Sequence, residues 1–222
     1  MGKILKSTWA LFTGIGIILL ANGLQGNLMG VRSVIENFSS LSTGIMMSGY
    51  FIGYFVGSNL TPNMVSRVGH IRVFAAFAST ASLSILIIAT YVNPIVWTLG
   101  RFLTGLSLVS CYIVAESWLN DRANNRTRGK LLSVYMIINY FGLACGALLL
   151  NFDDPTSFKP FILVSILLSI ALVPILLTKR PAPKFKKIGT LSLVELYKIS
   201  PLGTVSSFCT GAIYSALFAM FA

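Results

Sequence analysis

Seven stretches of about 20 predominantly apolar residues follow one another along this chain, over 8–30, 42–64, 73–92, 94–119, 131–150, 161–178 and 202–222. A helix rising about 1.5 Å per residue needs that length to cross the hydrocarbon of a bilayer. Hydrocarbon offers the backbone no hydrogen-bond partners, and a single segment can satisfy its own amides only as a helix. Composition agrees, with 55% hydrophobic and 10% charged residues, against roughly a quarter charged in soluble domains. The chain is expected to be an all-α membrane protein crossing the bilayer many times, with lipid as its surroundings.

The net charge of +11 would suit a nucleic-acid partner, but the positions of the charges argue for topology instead. With the N-terminus inside, Lys3, Lys6, Arg67, Arg72, Arg122, Arg126, Arg128, Lys130, Lys179, Arg180, Lys184, Lys186, Lys187 and Lys198 all lie on the cytoplasmic side. These are 14 of the 17 Lys and Arg residues. Arg32 and Lys159 fall outside, and Arg101 falls within a span. An excess of Lys and Arg in cytoplasmic loops sets orientation, so we expect a multi-pass protein of the cytoplasmic (in bacteria, inner) membrane with its N-terminus in the cytoplasm. No nucleic-acid partner is implied. The basic start and apolar run of residues 1–23 could pass for a cleaved signal, but six further spans favour a retained first helix.

Little supports an enzyme. His70 is the single histidine, and Cys111, Cys145 and Cys209 all lie in spans, so neither a zinc set nor a disulfide framework is indicated. No phosphate loop, nucleophile elbow or paired carboxylates occur. No metal or cofactor is expected.

Residues 1–178 hold six spans, 179–200 form a basic segment with two prolines, and 201–222 hold the seventh span. In the basic segment, Ser192 and Glu195 have capping-box spacing, which predicts a short helix on the cytoplasmic membrane surface. The six spans divide into triplets of like character. Span one carries Asn22 and Gln25, and span four carries Arg101 and Glu116. Span two carries Gly49, Gly53 and Gly57 beside Tyr50 and Tyr54, and span five carries Gly142 and Gly146 beside Tyr135 and Asn139. Spans three and six are bland; span six, with Ser165 and Ser169 as its polar groups, is expected to face lipid. Three is odd, so the second triplet is inverted relative to the first, as in secondary carriers.

Three motifs add a specific resemblance. PNMVSRVGHIRV, after span two, is similar to the G-x-x-x-D-R-x-G-R-R loop of the major facilitator superfamily. Arg67 and Gly69 match, while Pro62, Ser66 and His70 replace a glycine, an aspartate and an arginine. GRFLTGLS in span four resembles that family's R-x-x-x-G-x-G, with Arg101 and Gly105 matching and Ser107 in the place of the last glycine. RTRGKLLSVY, before span five, resembles an R-G-basic segment found in many members. The resemblance covers the whole chain as a six-helix N-terminal half, the central loop and helix seven. It implies a secondary transporter that binds a small solute near mid-membrane between two six-helix halves and works by alternating access. Spans one and four would line the cavity, spans two and five the seam between halves, and spans three and six the lipid. A proton is a possible coupling ion.

Arg101, Gly105, Leu108, Tyr112 and Glu116 fall on one helix stripe, with Arg101 and Glu116 about 22 Å apart along the axis. They cannot pair with each other. A charge inside a span is costly and points to function, so Arg101 is assigned to the substrate pathway; the structural alternative has it bonding backbone carbonyls or Asn22. Asn22, Gln25, Tyr54, Tyr112 and Asn139 are further pathway candidates. Glu116, near the cytoplasmic end of its span, is expected to form an interfacial salt bridge with Arg67 or Arg128, which with Gly69 would make a conformational latch. Gly49, Gly53, Gly57, Gly105, Gly142 and Gly146 are expected to serve close helix packing. The glycine-and-tyrosine faces of spans two and five would then meet counterparts in a second half.

Two other classes fit the same residues: a self-assembling half-carrier or channel, and a non-transporting membrane scaffold or receptor. The apolar run YSALFAMFA at the end of the sequence, with no polar flank, is expected to continue into a C-terminal half. The charge distribution predicts that a single cysteine at position 153 is labelled by an impermeant thiol reagent from outside the cell, and one at position 187 only after permeabilisation. Labelling of position 153 from the cytoplasmic side alone would invert the topology.

Overall fold

The computed structural model describes residues 2–124, 126–177, 193–203, 205–206 and 209. Among these residues the regular elements are all helical: α1 (Gly2–Ile35), α2 (Ser40–Val68), α3 (His70–Thr90), α4 (Pro94–Arg122), α5 (Arg128–Leu148), α6 (Lys159–Ile170), α7 (Leu172–Leu176) and α8 (Leu193–Ile199). A 3-10 turn, Leu149–Phe152, extends α5. Five segments are long and apolar enough to cross a membrane: Thr8–Ile35, His70–Thr90, Pro94–Arg122, Arg128–Phe152 and Lys159–Leu176. α2 is long enough at 29 residues, yet it is not among the five, because Ser, Thr, Asn and Gly dilute its apolar content.

The chain forms two compact units, Met1–Phe185 and Lys186–Ala222. In the second, α8 forms in the segment expected to hold a short helix. The boundary expected at 178/179 and most of the seventh span lie outside the described residues.

Local chemistry sets the helix ends. The Ser39 hydroxyl accepts the Ser42 amide at 3.2 Å to cap α2. Asn93 accepts the Ile95 and Val96 amides at 2.9 and 3.4 Å to cap α4, with Pro94 at the first position, where no amide hydrogen is needed. α2 and α3 are joined through Gly69 alone, at φ +88°, a backbone conformation that favours glycine. The sixth stretch is not one helix. It breaks at Ala171, because Pro174 lacks an amide hydrogen and its ring crowds the carbonyl four residues back, at Ile170.

Packing within Met1–Phe185 follows the triplets. α2 lies on α4 as α5 lies on α1; α3 lies on α4 as α6 lies on α1; and α3 meets α6. Exchanging the first triplet for the second maps this set of contacts onto itself.

Glycines set the two closest seams, both inside the bundle. A Cβ built on Gly53 would overlap the Phe102 carbonyl of α4. On Gly49 it would stand 2.9 Å from the Thr98 carbonyl, and on Gly57 2.7 Å from that of Leu106. α4 answers with Gly105, where a Cβ would overlap the Tyr50 carbonyl. On the other side, a Cβ on Gly146 would overlap the Leu20 carbonyl of α1, one on Gly142 would come within 2.9 Å of Leu19, and one on Gly23 would overlap the Leu143 carbonyl. The expectation that the glycine faces of spans two and five await a second half is therefore corrected. Small residues let backbones approach where lipid supplies no hydrophobic drive between helices, and these approaches are already made within the unit. The sides of α2 and α5 left exposed instead carry Phe51, Ile52 and Phe55, and Ile137, Tyr140 and Phe141.

The sixth span does not simply face lipid either. Phe161, Val164, Ser165 and Leu168 are buried. The Ser82 hydroxyl of α3 lies 2.7 Å from that of Ser165 and 3.0 Å from that of Ser169. Two bland helices are joined here because hydroxyls in an apolar setting must find partners.

Gly53→Ala is expected to lower the melting temperature and the folded yield, since backbone lies where the methyl would go and overpacking costs roughly 1–3 kcal/mol. Gly26→Ala, whose Cβ meets nothing within 4 Å, should leave both unchanged. Thermal denaturation of the purified variants compares them directly, and equal melting curves would refute the seam.

Candidate functional site

Arg101 enters α4 two turns after the Asn93 cap and is only 5% exposed. Gly105, one turn further on, lets the α2 backbone come close at Tyr50. The Tyr50 ring therefore lies beneath the guanidinium, 4.6 Å from Cζ to the ring centroid. This is a cation–π contact. Nη2 reaches the Met47 sulfur at 4.0 Å, a weak acceptor. Nε and Nη1 are buried and have no hydrogen-bond partner. Asn22, the partner considered for a structural arginine, instead donates to the Tyr112 hydroxyl at 3.2 Å.

Gln25 is fully buried and donates through Nε2 to the Thr104 hydroxyl at 3.4 Å. Thr104 in turn donates to the Gly100 carbonyl at 2.8 Å. The other amide atom, Gln25 Oε1, has no partner, and neither does the buried Ser107 hydroxyl. Polar groups from α1, α2 and α4 thus converge in the half of α4 nearer its start.

Further along the same stripe the structure corrects the latch. Glu116 accepts a hydrogen bond from the Tyr135 hydroxyl of α5 at 3.1 Å. It forms no ion pair with Arg67 or Arg128, both of which are exposed. Among the described residues the ion pairs are Arg32–Glu36 and Lys159–Asp153, both near the opposite end of the bundle. The reason is positional. Glu116 lies six residues before Arg122, the last residue of α4, on the face that α5 passes, and a phenol two turns into α5 reaches it before the arginines at the ends of α2 and α5 do. Asn139, half-buried, follows Tyr135 by one turn. Tyr54 is 40% exposed, with its ring centroid 6.3 Å from that of Tyr50.

Three contributors escaped the sequence reading. Tyr50 was visible beside the glycines, but its place under Arg101 depends on the register of α2 against α4. Met47 gives no polar signal at all. His70 replaces a loop arginine, yet it is buried, with Nε2 3.0 Å from the Ser117 hydroxyl and its ring 6.2 Å from that of Trp118. At the other end, Arg32 bonds Glu36 at 2.6 Å and donates to the carbonyls of Pro155 and Thr156, tying α1 to the segment before α6. There the hydrogen bond from Lys159 holds the Asp153 carboxyl below its usual range.

The bundle thus carries a polar stripe with two charged residues on its fourth helix, within mirrored helix pairings. Residues 10–222 match the model of the Major Facilitator Superfamily. The chain belongs to that superfamily. Its similarities include MFS-type transporters called YcaD. That of Escherichia fergusonii is 24% identical over 212 residues, covering 95% of this chain and 56% of the relative. Those of Escherichia coli O6:K15:H31 and Shigella dysenteriae serotype 1 are each 25% identical over 227 residues, covering 99% of this chain and 58% of the relative. The chain thus spans a little over half the length of these MFS relatives. It is a multi-pass membrane protein of a transporter family.

The Glu116–Tyr135 bond predicts a coupling of about 1 kcal/mol between Glu116→Gln and Tyr135→Phe in a double-mutant cycle read by unfolding. Glu116→Gln and Arg67→Gln should be additive. Strong coupling to Arg67 would restore the latch.

Proposed function

We propose that the complete protein is a secondary active transporter that moves a small solute across the cytoplasmic membrane by alternating access. One observation carries this reading. α4 bears a guanidinium and a carboxylate on one stripe with Tyr112, neither ion-paired among the described residues, and Asn22 and Gln25 of α1 and the Tyr50 ring of α2 are brought against that helix. Polar and charged groups inside a membrane bundle are expensive and mark solute or ion pathways. Membership of a transporter family supports the same reading.

In this reading Arg101, Gln25 and Asn22 contact the solute, with Tyr54, Tyr112 and Asn139 along its path. Glu116 is the carboxylate on that path available to a coupling proton. The second wall of the pathway comes from helices of the longer protein that the length of the relatives implies. The N-terminus lies on the cytoplasmic side.

Arg101→Ala is expected to abolish solute flux by the full-length transporter in proteoliposomes while its level in the membrane stays near normal. Arg101→Lys should restore only part of it, since lysine lacks the planar fork of donors. A normal rate from the alanine variant would remove Arg101 from the pathway.

A further inference from the structure

The surroundings of Arg101 specify the chemistry of what it binds. Arg101 as a residue is only 5% exposed. Against it stand a tyrosine face and a thioether, neither of which carries a negative charge. Two of its three nitrogens, Nε and Nη1, meet no acceptor. On the adjoining α1–α4 contact the buried Gln25 Oε1 is also unpartnered, as is Ser107 Oγ further along α4. No carboxylate pairs with it among the described residues: Glu116 lies about 22 Å away along α4 and is bonded to Tyr135, Asp121 lies further along the same helix, and Glu36 and Asp153 pair with Arg32 and Lys159. A buried cation without a counter-ion, with several unmet polar atoms beside it, destabilises the empty protein. Such a cost is tolerated where a ligand removes it.

We propose that Arg101 is the anion-binding pole of the solute site, so that the transported molecule carries a carboxylate or phosphate group. The proposal rests on the carrier reading above. An oxyanion suits this position better than a halide, because guanidinium N–H groups are directional donors matched to oxygen pairs. Gln25, turned toward α4, would meet a neutral polar part of the same molecule through its free carbonyl.

The test uses the full-length transporter purified in detergent, with Arg101→Met as a neutral side chain of related length. Without ligand, Arg101→Met should melt higher than the wild type, by on the order of 2–4 °C, because an uncompensated charge has gone. Lactate, succinate, glycerol 3-phosphate and inorganic phosphate are then compared with lactamide, succinamide and glycerol. At least one of the anions should raise the melting temperature of the wild type and leave Arg101→Met unmoved, while its neutral analogue moves neither. Carboxylate and phosphate members separate the two sources of oxyanion. A lower melting temperature for ligand-free Arg101→Met would show that the charge is structurally paired and would overturn the proposal. So would the absence of a shift with all four anions, or equal shifts in both proteins. Flux assays separate this from the carrier reading: an anion that binds through Arg101 but is not carried refutes the carrier alone. A neutral solute carried equally well by Arg101→Met refutes the anion site alone.

Discussion

Backbone-to-backbone approach across glycine is the contact on which the rest of this bundle depends. Between helices in lipid there is no hydrophobic gain from association, so helices adhere where their surfaces can come closest. α2 meets α4 through Gly49, Gly53, Gly57 and Gly105, and α1 meets α5 through Gly23, Gly142 and Gly146. Once these two seams are set, the depth and rotation of α4 follow. Its polar stripe is then turned toward Asn22, Gln25, Met47 and Tyr50 rather than toward lipid. The position of Arg101 above a tyrosine ring is a result of glycine spacing as much as of arginine chemistry.

The sequence is most informative where one physical rule acts alone. Length and hydropathy mark where helices lie, because hydrocarbon leaves the backbone no alternative. The character of the two triplets is visible for the same reason, since a polar residue in a span stands out against its neighbours. Information is lost where the outcome turns on register between helices. Glu116 and Arg128 look like natural partners in a linear reading, yet a tyrosine on the intervening turn of α5 is nearer. The glycine rows are plain in the sequence, but a row does not say which helix it meets. Ser165 and Ser169 read as incidental until Ser82 is set opposite them. Pro174 should have announced the break at Ala171, and an unbroken apolar run masked it.

The polar groups of the unit are graded by how completely they are satisfied. Ser82, Thr104, Trp97 and Thr61 have found partners; Trp97 Nε1 donates to two backbone carbonyls at 2.9 and 3.0 Å. These groups fix helices to one another. Arg101, Gln25 and Ser107 retain unmet atoms despite burial. In an interior where nearly every polar atom is matched, the unmatched set on α1 and α4 stands apart from the residues that hold the fold, as the ligand site proposed above requires.

The link between α2 and α3 has a mechanical consequence. Gly69 alone connects them, and His70, the first residue of α3, is held against Ser117 of α4. By the triplet correspondence, its counterpart is the segment between α5 and α6, at the opposite end of the bundle, where residues 149–158 take up the turn. One end of the unit is therefore hinged without slack, and the other is joined by a longer strap secured through Arg32. α2, α3 and α4 are thus tied closely at one end, whereas α5 and α6 are linked at theirs through a longer segment. A unit built this way would resist deformation at one end more than at the other, so its two membrane faces need not have equal compliance.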